Sequence, residues 1–374
     1  MKIFINALSA RQGGGQTYLK NLLDRYPENQ HKLFIIAPDS LEIPKRANIE
    51  KIKIPLVIIT NPFVRSIWET FVLPSLLKFL KINVLFCPGG STNGRVPNGC
   101  KVVTTFQNMM PFDHAQRKKY PLGYMRFRNW LLERKLLKSM MDSDLVIFIS
   151  NFAESVIRER SKNKIKKSVM IPHGINPLFV RTETRNLALP SGLPSDGYLL
   201  YVSILDVYKS QVEVVEAYAL IKKMRPQTPK LIFIGPEYAP YGKKVRASIS
   251  KLELTNDVIL MKAIPNADLP ALYQNATLNI YASQTENCPF ILLEALASGT
   301  PLLVSTSQPM PEFSGDAVMY FNPNDPKDLA QKLQILLDDP GLRNELAKKA
   351  LIQSHKFNWE ESAQKTWQAI ESLV

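Results

Sequence analysis

The stretch Ser283–Ser305, with the sequence SQTENCPFILLEALASGTPLLVS, decides the fold. Proline has no amide hydrogen to donate inside a helix but fits the first helical turn, so Pro289 predicts a helix start. Asn287 is a suitable cap just before that start. Gly299 is well placed to end the helix, and the apolar run Leu302–Ser305 predicts a buried strand directly after it.

Two carboxylates occupy different positions around this predicted helix, which extends over residues 289–298. Glu286 lies in the loop ahead of the helix, and Glu294 lies inside it. The first turn of a helix carries amide hydrogens without helical partners and a partial positive charge, and both stabilise a bound anion. The stretch therefore predicts a site for a diphosphate, flanked by two acids.

Outside this stretch, short apolar runs alternate with segments of helical periodicity, such as Thr17–Arg25 and Ile67–Phe79. Near-continuous apolar strands between helices indicate parallel sheets that are covered on both faces. The first series of predicted strands is Lys2–Asn6, Lys32–Ala37, Val84–Cys87, Val102–Phe106 and Asp144–Ser150. The second series is Tyr198–Ser203, Lys230–Ile234, Val258–Met261, Ala276–Ala282 and Pro301–Ser305.

The two series predict an α/β protein with two doubly wound, Rossmann-like domains that face each other across a cleft. We place the basic N-terminal domain at residues 1–185 and the C-terminal domain at residues 186–374. The segment Arg181–Gly197, which contains prolines, glycines and serines, is the predicted linker. The last predicted helix, Trp359–Val374, either belongs to the second domain or crosses back onto the first.

The net charge of +14 is unevenly distributed. Residues 1–185 hold 30 Lys and Arg against 13 Asp and Glu, a balance of +17, and the remainder is nearly neutral. A one-sided basic domain indicates an anionic partner such as lipid headgroups, a phosphorylated substrate or nucleic acid. The alternative is a lysine-rich surface that is merely solvated.

One basic segment, Tyr124–Ser139, interleaves Arg and Lys with aromatic residues and leucines. Together with Arg117, Lys118 and Lys119, it predicts a basic amphipathic surface that meets a membrane. The same pattern is also typical of an ordinary core-facing helix with a solvated basic side. The sequence leaves both interpretations open.

Compartment and metal content follow from the cysteines and the apolar runs. Cys87, Cys100 and Cys288 are odd in number and form no C-x-x-C pair, which argues against disulfides and zinc and for a reducing compartment. The run Met1–Ala10 is too short for a signal peptide, and no stretch approaches the roughly 18 apolar residues of a membrane span. We expect a cytoplasmic protein that requires no metal.

Several of these stretches together resemble a known family. Glu286 and Glu294, separated by seven residues and followed by Ala-Leu-Ala-Ser-Gly-Thr-Pro, resemble the signature of glycosyltransferase family 4, retaining enzymes with the GT-B fold. Further matching stretches, in the family's order, are Gly13–Gly15, Val169–Asn176, Tyr201–Ser210 and Leu269–Ser283. The loop residues Asn287, Cys288 and Pro289 resemble a sub-branch of bacterial polysaccharide and O-antigen mannosyltransferases.

The resemblance implies roles for the residues that match. Lys209 would pair with the donor diphosphate, Glu286 would hydrogen-bond the donor sugar, and Glu294 would hold the ribose hydroxyls. Gly13, Gly14 and Gly15 would let the backbone approach the donor phosphates or the acceptor. Further substrate-binding candidates are Ser203, Asn287, Cys288, Phe290 and Ile291, with the amides of the last three meeting the phosphates.

Four residues depart from the commoner family pattern. Tyr208 stands where an arginine usually precedes the lysine. Gln107 and Asn108 stand on the acceptor side, where many members have a histidine, and neither side chain accepts a proton near neutral pH. His173 replaces a frequent asparagine; it either reaches the donor sugar as a catalytic residue or is a packed histidine between the domains.

The resemblance thus implies a retaining hexosyltransferase that uses a nucleotide diphosphate sugar, with GDP-mannose favoured, and no cofactor. The acceptor would be a lipid-linked or growing glycan in lipopolysaccharide or polysaccharide synthesis, at the inner face of the membrane. Two alternatives stay open: a GT-B-fold nucleotide-sugar isomerase, and a non-catalytic protein that binds nucleotide sugars or anionic surfaces. No nucleic-acid recognition motif is present, and no feature specifies an oligomeric state.

Overall fold

The computed structural model of this chain describes residues 1–11, 13–28, 31–92, 96–182, 192–194 and 197–374. The chain forms two compact units, which we call unit 1 and unit 2. Unit 1 comprises Met1–Phe112, Leu122–Gly174 and Asn358–Val374, and unit 2 comprises Asp113–Pro121 and Ile175–Phe357. The junction expected at residues 185–186 and most of the expected linker lie outside the described residues.

Unit 1 contains a sheet of seven parallel strands in the order β3-β2-β1-β4-β5-β6-β7. These strands are β1 (Lys2–Asn6), β2 (Lys32–Ile36), β3 (Ile49–Lys51), β4 (Val84–Cys87), β5 (Lys101–Phe106), β6 (Leu145–Phe148) and β7 (Ser168–Met170). Ile3 of β1 pairs with Leu33 on one side and with Val84 on the other. The strand order reverses between β1 and β4, which is where an open α/β sheet forms its binding crevice.

Unit 2 repeats this architecture with six parallel strands in the order β10-β9-β8-β11-β12-β13. They are β8 (Tyr198–Val202), β9 (Lys230–Ile234), β10 (Val258–Met261), β11 (Leu278–Tyr281), β12 (Leu302–Ser305) and β13 (Met319–Phe321). Here the order reverses between β8 and β11. The prediction of two doubly wound, Rossmann-like domains is confirmed.

Fifteen helices in the described part of the chain flank the two sheets. The first eight are α1 (Gly14–Asp24), α2 (Leu56–Thr60), α3 (Pro62–Phe71), α4 (Leu73–Leu80), α5 (His114–Lys119), α6 (Tyr124–Asp142), α7 (Asn151–Arg160) and α8 (Gln211–Met224). The others are α9 (Ala239–Lys251), α10 (Leu269–Asn275), α11 (Phe290–Ala297), α12 (Met310–Ser314), α13 (Pro326–Asp338), α14 (Pro340–Ser354) and α15 (Trp359–Glu371). None of the helices within the described ranges has the length and apolar character that crossing a bilayer requires.

The predicted strands are all present, with ends that differ by one or two residues. The three strands that the prediction missed, β3, β7 and β13, are three residues long and lie at sheet edges. The segment Ile67–Phe79, predicted from its helical periodicity, is helical but belongs to two helices, α3 and α4, which meet at Val72. Pro74 explains the break, since proline fits the first turn of α4 but not a helix interior.

The deciding stretch folds nearly as expected. Helix α11 begins at Phe290 with Pro289 as its cap, and the expected cap Asn287 is wrong, because no side chain caps this helix. Gly299 follows the helix with a φ of 59°, a left-handed conformation that glycine adopts without a Cβ clash. Strand β12 then begins at Leu302.

The last helix, α15, belongs to unit 1. The indole nitrogen of Trp367 donates to the carbonyl of Leu22 at 3.2 Å, and Ser362 Oγ donates to the carbonyl of Pro172 at 2.7 Å. Because Trp359 and Trp367 are both buried, this helix supplies a large share of the apolar core around α1.

Candidate active site

Glu286 lies in unit 2, in the loop between β11 and α11. Its Oε1 accepts hydrogen bonds from Tyr281 Oη at 2.7 Å and Ser283 Oγ at 2.6 Å, and it forms an ion pair with Lys209 Nζ. Tyr281 ends β11 and Ser283 follows two residues later, so the strand end itself positions both donors. The carboxylate therefore has a defined orientation at the carboxyl edge of the sheet.

Lys209 ends a short 3₁₀ helix, Val207–Lys209, which follows β8. Its side chain is only 4% exposed, and its ammonium lies 4.9 Å from the ring centre of Tyr208 and 5.3 Å from that of Tyr281. A buried cation is costly unless it is paired, and here one carboxylate and two aromatic faces stabilise it. Tyr208, where an arginine was expected, thus contacts the lysine instead of adding a second charge.

Two hydrogen bonds to backbone carbonyls hold the loop that carries Lys209 in place. The amide of Gln284 donates to the carbonyl of Tyr208 at 2.8 Å. Tyr201 Oη donates to the carbonyl of Lys209 at 2.8 Å, from within β8. Because β8 and β11 are neighbours in the sheet, their carboxyl ends place Lys209 and Glu286 side by side although 77 positions separate them.

Burial keeps the phenols around Glu286 protonated. It raises the pKa of Tyr281 well above its usual value, and the nearby Glu286 carboxylate raises it further. The pKa of Tyr208 rises for the same two reasons. Tyr281 therefore acts as a hydrogen-bond donor to Glu286 throughout the physiological pH range.

The segment Asp113–Pro121 lies between β5 and α6 in sequence but belongs to unit 2. Gln116 Nε2 and Lys119 Nζ donate to Gln284 Oε1 at 2.6 and 2.9 Å. Thr285 Oγ1 donates to the Asp113 carboxylate in a close contact. Helix α5 thus packs directly against the loop that carries Glu286.

The same segment also contacts the loop that carries Lys209. Tyr120 Oη donates to Asp206 Oδ1 at 2.8 Å, and Asp206 Oδ1 in turn accepts from the amide of Val207, where the 3₁₀ helix begins. Sequence reasoning missed these residues and assigned Lys119 to a membrane surface. The available signal was Asp113, a helix cap whose Oδ1 accepts from the amide of Gln116 at 3.0 Å.

The remaining candidates of unit 2 lie around α11 and β8. Asn287 and Cys288 are buried, whereas Phe290, Ile291 and Glu294 are partly exposed. Burial raises the pKa of Glu294 to about 8, so its carboxyl group is largely protonated at neutral pH. At neutral pH, a bound partner that compensates for burial would favour the ionised form of this carboxyl group.

Ser203 directly follows β8 and is buried. Its Oγ accepts from Gln211 Nε2 at 2.8 Å and donates to the carbonyl of Ile204 at 3.1 Å. Gly235, after β9, has a φ of 153°, and a Cβ there would lie 2.1 Å from the Ser203 carbonyl oxygen. Only a glycine permits this close approach of the two strand ends.

The glycine candidates lie in unit 1, where they begin α1. Gly13 has a φ of 64°, and a Cβ there would meet only open space. A Cβ on Gly15 would lie 3.8 Å from Gln107 Oε1, so the glycine loop and Gln107 are neighbours. Gln107 Nε2 donates to the carbonyl of Pro88 at 2.8 Å, and Asn108 Oδ1 accepts from the amide of Met110 at 3.2 Å.

His173 also lies in unit 1, among aromatic rings. Its ring centre is 5.0 Å from that of Tyr18 and 5.5 Å from that of Trp359. Burial lowers the pKa of His173 to about 3, so its imidazole is neutral at physiological pH. The structure thus assembles Lys209 and Glu286 in one unit and packs His173 in the core of the other.

Two Rossmann-like units, with a lysine–glutamate pair at the switch point of one sheet, have the architecture of the GT-B glycosyltransferases. A model of Glycosyltransferase Family 4 matches residues 12–178, and a model of Glycosyl transferases group 1 matches residues 190–352. Together the two models span most of the chain, which belongs to the family 4 glycosyltransferases. Within the described residues, no group of three or more His, Cys, Asp or Glu side chains is arranged to hold a metal ion.

A curated relative agrees with this assignment, and solved structures share the fold. The chain is 24% identical to the O-antigen chain mannosyltransferase B of Escherichia coli over 277 residues, which covers 73% of this chain and 71% of that relative. Its fold is similar to that of a sucrose-phosphate synthase from Thermosynechococcus elongatus, with a TM-score of 0.75, 17% identity and coverage of 100% and 99% of the two chains. Anabaena HepE in complex with UDP-glucose has a TM-score of 0.70 at 15% identity, with both chains covered completely.

Proposed function

We propose that this glycosyltransferase moves a hexose from a nucleotide diphosphate donor to a lipid-linked or polysaccharide acceptor, with retention of the anomeric configuration. The observation that carries the proposal is the Lys209–Glu286 pair beside the start of α11. A lysine and a helix start offer positive charge to a diphosphate. The carboxylate offers an acceptor to a sugar hydroxyl.

In the proposed reaction, the acceptor hydroxyl oxygen forms a bond to C1 of the donor sugar while the bond from C1 to the β-phosphate oxygen breaks. The electron pair of the broken bond stays on that phosphate oxygen, which also accepts the proton of the acceptor hydroxyl. Lys209 stabilises the developing phosphate charge, and Glu286 orients the sugar. Because the leaving phosphate accepts the proton, the reaction needs no histidine at Gln107.

The favoured donor is GDP-mannose. Support comes from the loop Asn287–Pro289, which resembles that of polysaccharide mannosyltransferases, and from the similarity to an O-antigen chain mannosyltransferase. Glu294, whose pKa burial raises to about 8, is the proposed partner of the donor ribose. Two ribose hydroxyls would donate to its ionised form and compensate for its burial.

We also propose that the enzyme works at the inner face of the cell membrane as a peripheral protein. Helix α6 exposes Tyr124, Phe127 and Leu131, and the guanidinium of Arg134 lies 3.8 Å from the ring centre of Trp130. Aromatic and apolar side chains beside several Arg and Lys form the kind of surface that binds anionic lipid headgroups.

A second exposed apolar surface supports the same localisation. Phe63 and Phe71 of α3 are 74% and 73% exposed, and Ile67 lies between them on the same face. The chain from Lys51 to Phe112 contains seven Lys and Arg and a single acid, Glu69, which is buried. An exposed apolar face within a segment that has an excess of basic residues favours binding to an anionic membrane.

One assay tests the proposed function. The protein is incubated with a panel of nucleotide sugars, with and without membrane extract, and the released nucleoside diphosphate is measured. We expect release from one donor that depends on the extract and is abolished in Glu286→Gln but not in the exposed control Glu345→Gln. Conversion of the sugar without an acceptor would instead identify an isomerase, and donor binding without release would identify a binding protein.

A further inference from the structure

A polar cluster lies at the carboxyl end of β1, inside unit 1. Asn6 Nδ2 donates to Glu69 Oε1 at 2.9 Å, and both side chains are buried. Glu69 comes from α3 and Asn6 from the strand at the switch point of the sheet. Buried polar groups at this place in an α/β sheet commonly line a ligand site.

Three cations accompany this single carboxylate. Arg65, one turn before Glu69 on α3, donates to the carbonyl of Leu8 at 2.8 Å. Arg11 binds the last carbonyls of α2, at Thr60 with a distance of 3.2 Å and at Ile59 in a closer contact. Lys135, on α6, interacts electrostatically with Glu69 and Arg65.

Electrostatic coupling joins these groups. Burial lowers the pKa of Lys135, Glu69 acts against this effect, and Arg65 adds to it. Burial likewise lowers the pKa of Arg65, with Glu69 opposing and Arg11 contributing. Glu69 thus attracts Arg65 and Lys135, whereas Arg65 is repelled by both Lys135 and Arg11. An anion bound beside Arg65 would reduce this repulsion and the cost of burial.

The position of the cluster indicates which substrate the anion belongs to. Leu8 and Arg11 lie a few residues before the glycine loop in the sequence. In the structure, a Cβ on Gly15 would lie 3.5 Å from the Cβ of Ala10. Arg11 is exposed and Arg65 and Lys135 are partly exposed, so solvent reaches the cations. The cluster thus opens at the same edge of the unit 1 sheet as the proposed acceptor side.

We propose that Arg11, Arg65 and Lys135 form a subsite for the diphosphate of a lipid-linked acceptor. The proposal rests on the proposed function, since it assigns the acceptor class. Helix α3 carries both required properties: Arg65 and Glu69 lie on one face, and the exposed Phe63, Ile67 and Phe71 lie on the opposite face. An acceptor with a charged head and a hydrocarbon chain matches this division.

Direct binding measurements test the subsite on the whole protein. Farnesyl diphosphate, inorganic pyrophosphate and farnesol are titrated by calorimetry, with GDP and UDP in excess so that the donor site is occupied. We expect Lys135→Met to weaken farnesyl diphosphate binding at least tenfold, and the exposed Arg11→Gln to weaken it at least threefold. Lys138→Met, one turn further along α6, should change it less than twofold.

The three probes separate the sources of affinity. A diphosphate subsite is supported if pyrophosphate binds and if Lys135→Met weakens its binding by the same factor as that of farnesyl diphosphate. The diphosphate subsite would be overturned if farnesol bound as tightly as farnesyl diphosphate. It would also be overturned if wild type, Lys135→Met and Arg11→Gln bound farnesyl diphosphate with equal affinity. If the enzyme transfers sugar and Lys135→Met leaves the acceptor KM unchanged, the subsite is rejected but the proposed function stands. If Lys135→Met weakens farnesyl diphosphate binding but the wild-type protein releases no nucleotide, only the proposed function is rejected.

Discussion

The ammonium of Lys209 and the carboxylate of Glu286 form an ion pair whose lysine side chain is almost completely buried. Each residue is the other's main electrostatic compensation in unit 2. Removal of either one leaves a buried charge without its partner, which is more costly than removal of both. A diphosphate donor would share the lysine, so substrate binding and local stability are linked at this pair.

We expect Lys209→Ala to lower turnover by at least two orders of magnitude, because a charge that stabilises the leaving phosphate is lost. Steady-state kinetics with the preferred donor provide the measurement, and the exposed Lys243→Ala is the matched control. A decrease below about threefold would show that Lys209 is not the phosphate partner. Thermal unfolding of the same variants reports whether the orphaned Glu286 destabilises the fold.

Tyr281→Phe removes the phenol that donates to Glu286 and leaves the ring in place. The expected results are a kcat about tenfold lower and a free energy of unfolding about 2 kcal/mol lower, since hydrogen bonds to charged groups are among the stronger ones. Tyr218→Phe is the control, because Tyr218 is also buried in unit 2 but donates to the carbonyl of Pro229. Equal effects on kcat in both variants would argue against a role at the site.

Glu294 predicts a pH dependence of stability. Burial raises the pKa of Glu294 from 4.5 to about 8 in the folded state, so the folded protein holds this proton more tightly than the unfolded chain. The resulting contribution to the free energy of unfolding is fully present below pH 4.5 and is lost as the pH rises through 8. Because one pKa unit corresponds to about 1.4 kcal/mol, wild type should lose at least about 2 kcal/mol more than Glu294→Gln between pH 5 and 9. Denaturant unfolding at both pH values measures this difference, and parallel pH profiles would refute the assignment.

The contacts of α5 predict that residues outside the sequence motifs position the catalytic loops. Tyr120→Phe removes the bond to Asp206 at the start of the 3₁₀ helix that carries Lys209. We expect kcat to fall about three- to tenfold, with a smaller change in donor KM, because the loop is less well oriented. Tyr320→Phe is the control, because the Tyr320 phenol donates to the carbonyl of Gly315, and this variant should retain wild-type kinetics.

Membrane attachment should depend on both charge and apolar contact. High salt is expected to release the protein from vesicles with anionic lipids, since screening weakens the attraction of basic residues. Phe63→Ser with Phe71→Ser should reduce vesicle binding at low salt, whereas Ile352→Ser, exposed in unit 2, should not. Cosedimentation measures the bound fraction, and attachment that is indifferent to salt would contradict the electrostatic account.

The sequence alone predicted the elements whose causes are local. The strand at Lys2–Asn6 and the helix between Pro289 and Gly299 follow from apolar runs, proline and glycine, which act within a few residues. The break between α3 and α4 at Val72 was missed, although Pro74 was its signal. The short edge strands β3 and β7 were missed because three residues carry too little periodicity to be recognised.

The sequence by itself determined the two Rossmann-like sheets and the family to which the chain belongs, because hydrophobic periodicity and ordered motifs are properties of the chain. Only the tertiary structure decided that Lys209 lies against Glu286, that α5 belongs to unit 2 and that Asn6 donates to Glu69. These pairings join residues far apart in sequence, and which strand ends become neighbours depends on strand order and packing. No local pattern encodes that order.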